Sequence, residues 1–194
     1  YINGSKVDKI DSGTFGDIEI IAQWSPIVYT LTYEETKGAT NNNPLEYTIE
    51  NAITLQDISV DGYTFDGWYV GDEKVTTISI GTIGDKVLTA KWSLITYSIT
   101  YANTKDVAHN NLREYTIESD DIELVNISKE GYVFNGWDLN GEVVTKVGSG
   151  SFGNIIITAL WTPNTYSISY VSKYSDINND NPIVYNTDSE ITLE

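Results

Sequence analysis

The chain has no cysteine and no methionine, and its one histidine is His109. Without Cys there is no disulfide framework, no thiolate nucleophile and no thiolate metal site. A lone imidazole cannot build a multi-histidine metal centre, and any Ser–His–Asp chemistry would have to run through His109. Positive charge is also scarce: 11 Lys and Arg stand against 28 Asp and Glu, a formal net charge of −17 over 194 residues. Such a field repels phosphate backbones and anionic lipid, which argues against a nucleic acid partner. No apolar run is long enough to cross a bilayer as a helix, so direct membrane insertion is not expected, and neither a signal peptide nor a wall-sorting motif stands out. The first residue is Tyr rather than Met, which points to a fragment or a processed chain.

Aromatic residues are abundant. Fourteen Tyr and five Trp, with 40% hydrophobic residues, make the chain too apolar for a disordered acidic tail. They recur with a fixed period, and periodicity of this length marks a repeat architecture. Trp24 is followed at a near-constant step by Trp92 and Trp161, and Trp68 by Trp137 at the same step. The strings YTLTY (29–33), YSITY (97–101) and YSISY (166–170) follow the same period. So do LEYTIE (45–50) and REYTIE (113–118), and DGYTFDGW (61–68) and EGYVFNGW (130–137). DIEIIAQW (17–24), DKVLTAKW (85–92) and NIIITALW (154–161) complete the set. In this phase residues 1–26 are the tail of one repeat, 27–94 and 95–163 are whole repeats, and 164–194 are the head of another. The expectation is a protein that continues in both directions. Units cut from Tyr1 to Trp68 and from Tyr69 to Trp137 describe the period equally well.

The local pattern is β. Ile18, Ile20, Ala22 and Trp24 share one face, as do Leu88, Ala90 and Trp92, and Ile155, Ile157, Ala159 and Trp161. Alternation with a period of two predicts half-buried strands. Tyr29, Leu31 and Tyr33 alternate with Thr30 and Thr32 in the same way. Asn3-Gly4, Gly71-Asp72 and Asn140-Gly141 fall at one place after each GW, where such pairs favour a tight hairpin. The predicted partners of the GYxFxGW strands are Glu73–Ile78 and Glu142–Val147. No stretch sustains a 3.6-residue period. GTFGD, GTIGD and GSFGN (13–17, 81–85, 150–154) have room for one helical turn at most, with Phe15, Ile83 and Phe152 expected to plug a small core.

The order Y-x-[LI]-x-Y, YTIE, [DE]-GYxFxGW and a strand ending A-x-W resembles the Listeria–Bacteroides repeat, the internalin-type B-repeat of bacterial surface proteins. The resemblance covers essentially the whole chain, though TKGATNNN and TKDVAHNN replace the usual Gly-Gly after the first strand. It implies a mainly β chain of small β-grasp-like modules, each one repeat long (27–94 and 95–163), strung end to end. It further implies secreted or wall-attached proteins with roles in adhesion and spacing, neighbouring repeats as the first partners, and no catalytic residues.

Candidate sites are few. Tyr63, Phe65 and Trp68, with Tyr132, Phe134 and Trp137, could form a glycan-stacking platform. A module this small needs its large side chains for a core, so core is the expected role. In a regular strand Trp68 would face away from Tyr63 and Phe65. The same core role is expected of Trp24, Tyr29, Tyr33, Trp92, Tyr97, Tyr101, Trp161, Tyr166 and Tyr170. Asp176, Asn178 and Asp180 alternate as oxygen ligands do in a calcium loop, but neither the Gly nor the closing Glu of the full loop is present. An Asn-rich hairpin turn is the plain reading there, as for Thr40–Asn43 and His109–Asn111, and no cofactor is implied beyond that weak Ca²⁺ candidate. The carboxylate recurring at Glu50, Glu118 and Asp188 reads as a strand-end cap, since an acid–base pair would need a second carboxylate in a cleft. His109 has no counterpart in the other copies and reads as a surface loop residue.

Three functions from different classes follow: a passive extension of a surface protein, a weak adhesin whose repeated faces bind host protein or glycan by avidity, or an enzyme or an enzyme's accessory domain. Comparison of the internal copies favours the first, because core positions match while exposed loop residues differ.

Overall fold

The computed structural model describes residues 1–173 and 179–193. It is all β, with no helix among the described residues. Two compact units divide the chain, Tyr1–Val60 with Phe65–Trp92, and Asp61–Thr64 with Ser93–Glu194.

The first copy contributes seven strands. They are β1 (Tyr29–Glu34), β2 (Glu46–Tyr47), β3 (Ile53–Thr54), β4 (Tyr63–Val70), β5 (Glu73–Val75), β6 (Thr77–Ile78) and β7 (Lys86–Leu94). The second copy repeats them as β8 (Tyr97–Ala102), β9 (Glu114–Tyr115), β10 (Ile122–Glu123), β11 (Tyr132–Leu139), β12 (Glu142–Val144), β13 (Lys146–Val147) and β14 (Ile155–Pro163). Two strands follow, β15 (Thr165–Ser167) and β16 (Val184–Asn186).

Each copy builds a five-stranded sheet of the same order, β2-β1-β7-β4-β5 and β9-β8-β14-β11-β12. The Tyr-rich first strand runs parallel to the A-x-W strand, Tyr33 opposite Leu88 and Tyr101 opposite Ile157. That pairing puts these two strands inside the sheet, with sequence-distant partners, so the module is mixed rather than a simple meander. The alternation seen in the sequence is kept. Leu88, Ala90, Ile157 and Ala159 are buried, whereas Val87 and Ile156 face solvent.

The tight hairpins form where the Gly-containing pairs predict them. Val70 opposes Glu73 across Gly71-Asp72, and Leu139 opposes Glu142 across Asn140-Gly141. The strand that follows is shorter than expected. Thr77–Ile78 and Lys146–Val147 leave the hairpin and pair instead with β3 and β10. This second, two-stranded layer lets Ile78 and Val147 close the core from the other side.

One glycine resets the face of the GYxFxGW strand. The pairing of β11 with β14 slips between Phe134 and Gly136, and Gly136 has φ +115°, a conformation that L side chains rarely adopt. The bulge reverses the parity, so Trp137 turns to the same side as Phe134, with ring centroids 5.3 Å apart. Gly67 (φ +125°) does the same in the first copy, where Phe65 and Trp68 are also 5.3 Å apart. The expectation that Trp68 faces away from Phe65 is therefore corrected. Trp68 and Trp137 are each 1% exposed and centre the two cores.

The segments outside the two copies differ. In residues 1–28 the Asn3-Gly4 turn closes a lone Ile2–Ser5 bridge, but the DIEIIAQW stretch forms no strand. Trp24 is 90% exposed, which corrects its assignment to a core. Its counterparts in the two copies lie between a parallel Tyr-rich strand and a GYxFxGW strand, whereas no described strand pairs with the stretch around Trp24. Tyr166 and Tyr170 are likewise exposed rather than core, because β15 and β16 form a two-stranded sheet that no other described strand joins.

Candidate functional site

The recurring residues make the same contacts in each copy. Tyr33, Tyr101 and Tyr170 donate their hydroxyls to the carbonyls of Pro44, Leu112 and Pro182 at 2.9, 2.8 and 2.9 Å. Tyr47 and Tyr115 donate to the carbonyls of Gly84 and Gly153, each at 2.5 Å. The next side chains, Asp85 and Asn154, accept the backbone N–H of Thr30 and Ser98. The GTIGD and GSFGN loops are thus held by polar contacts at their ends. Ile83 and Phe152, like Phe15 in the first segment, stay exposed and plug nothing.

The remaining ring contacts are internal too. Tyr29 packs against Tyr47 and Tyr97 against Tyr115, with centroids 5.5 and 5.8 Å apart. Trp92 and Trp161 stand edge-on to Phe65 and Phe134 and donate their indole N–H to the carbonyls of Glu35 and Asn103, both at 2.8 Å. Such partnering is what half-buried Tyr and Trp require. Burial pushes the Tyr33 phenol up to about 12 and shifts Tyr47, Tyr101 and Tyr115 upward as well.

The Asn-rich loops hold a structural clamp that the hairpin-turn reading missed. Asn43 is buried, donating to the carbonyl of Gln56 (2.9 Å) and accepting from its N–H (2.6 Å). Asn111 treats Val125 identically, at 3.0 and 2.7 Å. The same two carbonyls accept the indole N–H of Trp68 and Trp137. The signal was the recurrence of Asn at 43, 111 and 181, hidden among non-recurring Asn neighbours. Of the calcium candidates, Asp176 and Asn178 lie outside the described residues, leaving Asp180 alone. Among the described residues no group of three or more His, Cys, Asp or Glu side chains is placed to hold a metal ion.

His109 is half-buried rather than a free surface loop residue. Its ring packs edge-on against Tyr101 and Trp137, with centroids 4.5 and 5.9 Å away, and burial, helped by Arg113, lowers its pKa. Its buried Nδ1 has no hydrogen-bond partner among the described residues, whereas a general base is held in place by one.

The recurring carboxylate has a role the sequence did not suggest. Within the second unit, the hydroxyl of Tyr63 donates to Glu118 at 2.7 Å, and that of Tyr132 donates to Asp188. Tyr63 and Tyr132 are therefore half-buried residues engaged at their tips, not wholly core. The carbonyls of Gly62 and Gly131 accept the N–H of Ile95 and Asn164, at 2.9 and 2.8 Å. A methyl group on either glycine would come within 2.6 Å of Ile117 or 2.8 Å of Thr187. Lys105 also sits 4.1 Å over the Tyr132 ring.

A family profile for the Listeria-Bacteroides repeat domain matches residues 29–91 and 97–159. The chain is similar to two proteins of Evansella cellulosilytica. One, named "Putative membrane protein", is 26% identical over 91% of this chain and 28% of its own length. The other, named "Putative Gly-rich membrane protein", is 27% identical over 80% of this chain and 18% of its own length. The chain thus spans less than a third of either relative. No solved structure matches it. Among the described residues no helix is long and apolar enough to cross a membrane.

Proposed function

Because the chain belongs to the Listeria-Bacteroides repeat domain family of bacterial surface proteins, we propose that it serves as a non-catalytic tandem-repeat spacer in such a protein, on the extracellular, wall-facing side. The observation that carries this reading is where the recurring polar atoms go. Tyr33, Tyr47, Asn43 and Trp92 spend their hydrogen-bonding atoms on the backbone of their own copy, as do Tyr101, Tyr115, Asn111 and Trp161. A repeated binding face needs recurring side chains aimed at solvent, and a spacer needs recurring cores. The repeat-domain family to which the chain belongs is typically non-catalytic, which supports the same reading.

The alternative, a module that binds host or wall glycan or protein through avidity, is favoured by one feature. Ile83 and Phe152 occupy the same exposed loop position in the two copies. Arrays of glycans and host-surface proteins probed with the chain decide between the two. The spacer reading expects no retention at micromolar concentration. Saturable retention that Ile83→Ser and Phe152→Ser abolish would establish the adhesin instead.

A further inference from the structure

We propose that the Thr48–Asn51 turn, with Ile49 and Glu50 at its tip, is a docking face whose occupant is the Gly-Tyr turn of another copy of this repeat. The inference deepens the spacer reading and rests on it for the identity of the partner.

Among the described residues three copies of this turn are present, and all close in one way. The N–H of Asn51, Ser119 and Ser189 each donates to the carbonyl three residues back, at 3.0 Å. The N–H at the start of each turn donates to the side chain at its end, Asn51 Oδ1 (2.7 Å), Ser119 Oγ (3.0 Å) and Ser189 Oγ (2.9 Å). At the tip stand Ile49-Glu50, Ile117-Glu118 and Thr187-Asp188. Two of these tips are occupied. Ile117 seats on Gly62 while Glu118 takes the Tyr63 hydroxyl, and Thr187 seats on Gly131 while Asp188 takes the Tyr132 hydroxyl. Thr187 adds hydrogen bonds to the Gly131 carbonyl (2.5 Å) and from its own N–H to the Asn164 carbonyl (3.2 Å).

The contact thus has three parts that recur together. An N–H from the stretch after the A-x-W strand meets the glycine carbonyl, a side chain covers the bare glycine Cα, and a phenol meets a carboxylate. Charge-assisted hydrogen bonds of this last kind are the stronger ones. The glycine cannot be replaced without pushing the covering side chain away. In the first copy the turn is built identically, yet Ile49 is 41% exposed and the Glu50 carboxylate takes no hydrogen bond from a described residue. The chain has three acceptor tips and two Gly-Tyr turns, both engaged, so the partner for Ile49 and Glu50 is a further Gly-Tyr turn of the same chemistry.

The test has two arms. In the chain as it stands, Tyr132→Phe should speed amide exchange at Thr187 by about fivefold, and Tyr63→Phe should do the same at Ile95, whose N–H the Gly62 carbonyl accepts, with Leu124 unchanged. Unchanged exchange at both positions would overturn the joint as an energetic contact, and these variants keep every core side chain. In the second arm residues 95–137 are fused ahead of Tyr1, which places a Gly-Tyr turn one repeat before Ile49. Solvent-probe relaxation of the Ile49 methyls should fall to the level of Ile117 and return when the added glycine is changed to Ala. Ile49 signals identical with and without the added segment would overturn the docking face. Neither outcome bears on the array experiment, so the joint and the spacer reading fail separately.

Discussion

Replacing Asn111 by Ala removes a side chain that is 6% exposed and ties a loop to the middle of the core. Two hydrogen bonds go, the donation to the Val125 carbonyl at 3.0 Å and the acceptance from the Val125 N–H at 2.7 Å. The carbonyl keeps Trp137 Nε1 at 3.1 Å, so its loss is partial. The N–H keeps no protein acceptor, and a partly buried donor so left costs about 1–3 kcal/mol beyond the net worth of about 1 kcal/mol for the other bond. The sum is about 2–4 kcal/mol. Urea unfolding followed by tryptophan fluorescence should show the midpoint of the second copy falling by roughly 1–2 M at a typical slope. Asn110→Ala, at the exposed neighbouring position, should stay within about 0.5 kcal/mol of the parent. If Asn111→Ala costs no more than Asn110→Ala, the clamp contributes nothing and the recurrence of this Asn has another cause.

Trp24→Ala should leave stability almost unchanged because the ring is exposed, whereas Trp161→Ala should cost about 3 kcal/mol or more, read by calorimetry. Gly136→Ala should prevent the bulge from forming, since φ +115° excludes a side chain and the new methyl would lie 2.7 Å from Val143 Cγ1. Loss of the Phe134–Trp137 ring signature in near-ultraviolet circular dichroism is the expected result. Alkali provides a further check. The Tyr33 phenol is raised above its ordinary 10.0 to about 12, so its contribution is fully present below about pH 10 and is lost as pH rises through about 12. Phenolate absorbance should lag the unfolded reference across that window and then rise together with unfolding.

Much of this module is legible in the sequence because its information is local or periodic. The near-constant step between tryptophans locates the copies, period-two alternation gives the inward faces of β7 and β14, and Gly-containing dipeptides mark the hairpin turns. What escaped depends on distant partners. Nothing in YTLTY says that its neighbour is the far-downstream strand beginning at Lys86, running parallel. The face of Trp68 depends on whether Gly67 takes a positive φ inside a strand, which a glycine permits but does not announce. Trp24 has the same local sequence signal as Trp92 and Trp161, yet it is exposed because burial needs the covering strands and not only the pattern. The Tyr63–Glu118 contact joins two motifs that each looked self-sufficient, one as core and one as a cap.

The central claim, that the repeats give reach rather than recognition, is most directly tested in a display fusion carrying the chain between a membrane anchor and a fluorescent head. Adding one further copy of residues 95–163 should raise the head above the membrane by a constant step, measured by fluorescence interferometry, with adhesion to host-cell and glycan surfaces unchanged. Adhesion that climbs with copy number while the height stays fixed would contradict it.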